Sequence, residues 1–113
     1  MIPQVDIPTL LAAKQFARAV ARTYDISEVF LFGSRARGTA HEESDADVAV
    51  LLRGASAPFV ATKLAMDDIA YDVLLDTGIR IQPLPIWEDE WAHPSAYTNP
   101  QLLSNIARDG VKL

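Results

Sequence analysis

The stretch Val29–Leu52, VFLFGSRARGTAHEESDADVAVLL, constrains this chain more than any other. One apolar run ends at Phe32, and Gly33-Ser34-Arg35-Ala36-Arg37-Gly38 follows. A polar linker leads to Ser44-Asp45-Ala46-Asp47, and a second apolar run closes the stretch at Leu52. The pattern predicts two buried strands, over 28–32 and 47–52. Where they meet, a glycine turn faces a pair of carboxylates, an arrangement suited to a metal-bound phosphate.

Around that stretch the chain alternates helices and strands. Residues 1–8 form an extended lead-in, and a helix is expected from Thr9 to Thr23 with Leu10, Ala13, Ala17 and Val20 in one apolar stripe, Phe16 beside it. Lys14, Arg18 and Arg22 share another face, either solvated or turned toward a nucleotide or an acidic partner. After the turn cluster RGASAP, a helix over 59–77 carries Val60, Leu64, Tyr71 and Leu74 on one side and stops at Gly78. Asp68, Asp72 and Asp76 recur every four residues and read as an acidic solvated face. A third strand over 79–86 contains Pro83 and Pro85, so its far end does not suit the middle of a sheet. Trp87 and Trp91 suggest packing or a partner surface, and Asn99-Pro100 opens a last helix ending at Gly110. The resulting class is α/β (α+β): a small mixed sheet of three or more strands covered by helices, in a single domain over 1–113.

Composition narrows the function. A net charge of −5 argues against a general nucleic-acid binder. No apolar run reaches the length of a bilayer span, no signal-peptide pattern opens the chain, and there is no cysteine. These traits suit the cytoplasm. The chemistry then rests on the central stretch. Asp45 and Asp47 are two apart at a strand mouth and project to one face, where they repel unless a cation such as Mg²⁺ lies between them. Gly33 lets the backbone approach a ligand, the Ser34 hydroxyl can donate to phosphate oxygens, and Arg35 and Arg37 can neutralise phosphate charge. His41, in the linker, reads either as a phosphate contact or as a plain loop residue.

The joint pattern GSRARG followed by SDADV resembles the minimal nucleotidyltransferases of the DNA polymerase beta-like superfamily, with the specific motif spanning residues 32–52. The resemblance implies that Asp45 and Asp47 are catalytic and bind Mg²⁺, and that Gly33, Ser34, Arg35, Arg37 and Gly38 hold the triphosphate of ATP or another NTP. A nucleoside monophosphate, AMP in the simplest case, would pass to an acceptor hydroxyl with loss of pyrophosphate. It also implies a HEPN-domain partner in a toxin–antitoxin pair, with AMP transferred to a tyrosine of the toxin. A chain of 113 residues has little room for an acceptor domain, so the acceptor is expected on a partner macromolecule. The family pattern places a third carboxylate on the third strand, but here Arg80 and Gln82 hold the site-facing positions. Glu88, Glu90, Asp72 and Asp76 could substitute only by folding back toward the site. A second reading follows: a nucleotide-binding module without turnover that docks to a HEPN-type partner, supported by that missing carboxylate and by two tryptophans expected on the surface.

Overall fold

The computed structural model describes residues 5–38 and 45–113. The chain runs α1 (Ile7–Ala21), β1 (Ile26–Phe32), α2 (Ser34–Arg37), β2 (Ala46–Leu52), α3 (Phe59–Thr77), β3 (Ile81–Trp87), α4 (Glu88–Ala92), α5 (Pro100–Asp109) and β4 (Val111–Lys112), with a 3-10 turn at Pro94–Ala96. The strands form one sheet in the order β3-β2-β1-β4. β1 is antiparallel to β2 and β4, while β2 and β3 are parallel and joined across α3. This is the expected mixed sheet with helical cover. β3 lies on an edge, where Pro83 and Pro85 are tolerated. β4 is a two-residue strand that pairs with Phe30 and Leu31, and no periodicity announces it.

Strand alternation sends residues to two apolar layers. On one face Leu31, Val48, Val50 and Ile81 pack against Phe16 and Val20 of α1 and Met66 and Val73 of α3. On the other, Ala49, Leu51 and Ile86 meet Leu103 and Ile106 of α5, with Phe30 and Phe32 alongside. Local signals set the helix ends: Asp6 accepts from the Thr9 amide at 3.1 Å, Asn99 accepts from the Leu102 amide at 3.2 Å, and Gly78 ends α3 at φ 76°. Val60, Leu64 and Tyr71 point outward, and α3 instead buries Met66, Ala70 and Val73. α3 is apolar on several sides, so β3 and α1 decide which side turns inward. The tryptophans follow the packing alternative. Trp87 is in the core, and Trp91 stacks on Phe30 with ring centroids 5.8 Å apart.

The charged faces of α1 and α3 meet. Lys14, Arg18 and Arg22 are exposed, and Arg18 and Arg22 border a groove whose opposite wall holds Asp72. Gln15 donates to Asp76 at 2.9 Å further along the same seam. Among the described residues no helix is long and apolar enough to cross a membrane.

Candidate active site

β1 ends at Phe32, and the chain turns at Gly33 with φ 76° and ψ −158°, a region reserved for glycine. One helical turn follows, and Gly38 closes it at φ 75° with its amide donating to the Ser34 carbonyl. A Cβ on Gly33 would overlap Asp47 Oδ2 and stand 3.3 Å from Asp47 Cγ. Glycine is therefore required twice here, by the backbone angle and by the carboxylate lying against it.

Asp47 lies opposite Phe32 on β1 and Gln82 on β3, so these three share one row across the sheet. Asp45 precedes it by two residues at the exposed strand mouth. Burial, and secondarily the charge of Asp45, push the Asp47 carboxyl above its ordinary range, while Arg37 pulls the other way. A cation between the carboxylates removes both penalties. Two hard oxygen donors on one face, open on the solvent side, fit Mg²⁺, which takes the rest of its shell from water and substrate phosphates. No third carboxylate, histidine or cysteine joins them among the described residues. Gln82 occupies the row position beside Asp47, and Arg80 Nε lies 3.8 Å from Asp45 Oδ1. The possible substitutes are engaged elsewhere: Glu88 with Arg53 at 3.8 Å, Glu90 with the Trp87 amide at 3.0 Å, Asp76 with Gln15, and Asp72 in the α1–α3 groove.

The two arginines of the motif part company. Arg35 is buried, donates to Thr9 Oγ1 at 2.6 Å and stands 3.8 Å from Asp6, so it ties α2 to the start of α1. Successive residues of a helix point about 100° apart, so Arg37 emerges on the other side and is exposed. Ser34 stays half-buried beside Gly33, and Gly38 serves the turn through its backbone. Ser44 and His41 lie outside the described residues. What the sequence reading missed is where α5, expected as a helix, comes to lie: beside the Gly33 turn. A cleft of about 370 Å³ opens between the phosphate turn and this helix, bordered by Gly33, Arg37, Asn105, Arg108 and Asp109. No sequence signal links Arg108 to Gly33.

A glycine turn lying against one of two neighbouring carboxylates is an arrangement that can take a metal-bound phosphate. Comparison with known proteins points the same way. The family model described as "Nucleotidyltransferase domain" matches residues 13–97. Among solved structures, the fold is similar to a crystal structure at 1.40 Å of a Sulfolobus solfataricus protein assigned as a nucleotidyltransferase, with TM-score 0.60 and 24% identity over 94% of this chain and 79% of that one. No curated protein matches the sequence. The family match covers β1, the phosphate turn and the Asp45–Asp47 pair in one span, and the chain belongs to the nucleotidyltransferase domain family.

Proposed function

We propose that this chain transfers a nucleoside monophosphate, AMP from ATP in the first instance, to a hydroxyl on a partner macromolecule. The observation that supports this is Asp47 resting against the side-chain-free Gly33, with Asp45 two residues before it at the strand mouth. Asp45 and Asp47 would hold Mg²⁺, which when bound supplies charge neutralisation for the triphosphate and for the pentavalent phosphorus. Gly33 and Ser34 orient the triphosphate, and Arg37 offsets its charge at the rim. The acceptor oxygen bonds to the α-phosphorus, the bond to the β-phosphate bridging oxygen breaks, and pyrophosphate leaves with that electron pair while the hydroxyl proton passes to water. The partner consistent with this reading is a HEPN-domain protein modified on a tyrosine, with this chain as antitoxin.

One observation favours a second reading, in which nucleotide binds without turnover. Gln82 stands where a carboxylate would complete the site, and the Arg80 cation beside Asp45 opposes a second metal. The tryptophans no longer support that reading, since both are packed. The test is incubation with Mg²⁺, a HEPN-type partner and ATP labelled at the α-phosphate. Label on the partner, lost in Asp47→Asn, supports transfer. Absence of label together with an ATP-dependent rise in Tm supports the binding module. No Tm change with any NTP refutes both.

A further inference from the structure

We infer that the cleft between α2 and α5 receives the β- and γ-phosphates of the nucleotide, and that Arg108 is the second cation of the phosphate site. This deepens the proposed transferase and rests on that reading. Asp47 sits in the middle of the row Phe32–Asp47–Gln82. On the β3 side the neighbours are Gln82 and the Arg80–Asp45 pair. On the β1 side the cleft opens directly onto Gly33, so a triphosphate held at that turn has its anionic tail facing α5.

The side chains there suit that tail. Arg108 is held flat at the end of α5: Nε and Nη2 donate to the two Asp109 carboxylate oxygens at 3.2 and 3.1 Å, and Nη2 also donates to Asn105 Oδ1 at 3.1 Å. Its Nη1 has no hydrogen-bond partner among the described residues, which leaves a positioned donor at the cleft rim. Two guanidinium groups, Arg37 and Arg108, against the single Asp109 carboxylate leave one net positive charge in the cleft. Arg37 spans it electrostatically, acting on both Asp47 and Asp109. α5 lies beyond the matched family span of 13–97, outside the GSRARG–SDADV motif.

Binding of ATP, inorganic pyrophosphate and AMP, each with Mg²⁺, by calorimetry tests the inference on the full chain. Arg108→Gln is expected to weaken ATP and pyrophosphate about tenfold and leave AMP unchanged. Arg108 is exposed, with 66% of its side chain accessible, so its replacement leaves the fold intact, and an unchanged Tm checks this. Wild-type affinity for ATP and pyrophosphate in Arg108→Gln overturns the inference while the transferase reading stands. An equal loss for AMP also overturns it, because the cleft would then hold the nucleoside. If the wild-type chain binds no ATP, the parent reading fails and this one with it.

Discussion

Replacing Gly33 with alanine tests the geometry on which the site depends. Two costs arise at once. An alanine at φ 76°, ψ −158° occupies backbone space populated almost only by glycine, which costs about 1–3 kcal/mol. Its Cβ also meets the Asp47 carboxylate, with Cγ at 3.3 Å and Cβ at 3.5 Å, an overpacking cost of about 1–3 kcal/mol. The sum is about 2–6 kcal/mol, a large share of the roughly 5–15 kcal/mol that holds a domain of this size together. At about 4 °C per kcal/mol for a chain of this length, Tm falls by about 8–24 °C. A double-mutant cycle separates the two parts. Asp47→Ala removes the oxygen that the new Cβ would strike, so Gly33→Ala in that background should lose only the backbone cost, with a coupling of about 1–3 kcal/mol. Urea denaturation followed by circular dichroism measures all four proteins. If Gly33→Ala unfolds within about 0.5 kcal/mol of the wild type, or the cycle is additive, the close approach of turn and carboxylate is not what organises this site.

Other perturbations read the remaining parts. Without divalent cation, the raised pKa of Asp47 means that the folded state binds its proton more tightly than the unfolded one. The stabilisation from that proton is complete below the unfolded value near 3.8 and is lost as pH rises through the raised value, so Asp47→Asn should melt higher than wild type above that window. A Tm-against-pH series in chelator shows this, and parallel curves would contradict it. Asp6→Ala should cost about 1 kcal/mol through loss of the α1 cap. Because the Thr9 hydrogen bond lowers the Asp6 pKa, that contribution is present above 3.8 and disappears as pH falls through the lowered value, which acid titration of both proteins would reveal. Arg35→Met should destabilise by about 2–4 kcal/mol, since it strips a buried partner from Thr9, whereas Arg37→Met should leave Tm unchanged and weaken ATP binding. Equal melting of the two variants would refute their division of labour. Gln82→Glu supplies a carboxylate beside Asp47 and should raise label transfer with Mg²⁺; unchanged transfer would show that the third ligand is not limiting.

The sequence by itself determined whatever short-range chemistry dictates. The glycine turn and the Asp45–Asp47 pair are legible because strand alternation and glycine stereochemistry act within a few residues. The Asn99 cap and the Gly78 stop are legible for the same reason. The edge position of β3 was implied by its prolines. Tertiary structure decided the rest. Arg35 and Arg37 are alike in sequence, but only the arrival of α1 with Thr9 and Asp6 draws one inward and leaves the other at the site. The inner face of α3 was set by what it packs against, because apolar residues on several sides give periodicity nothing to choose between. Trp87 and Trp91 are equally apolar, and their separate fates depend on sheet layers that a local window cannot contain. Arg108 is the furthest case. It is more than seventy residues along the chain from Gly33, and it borders the same cleft because β4 pairs with β1 and draws the end of α5 alongside that turn.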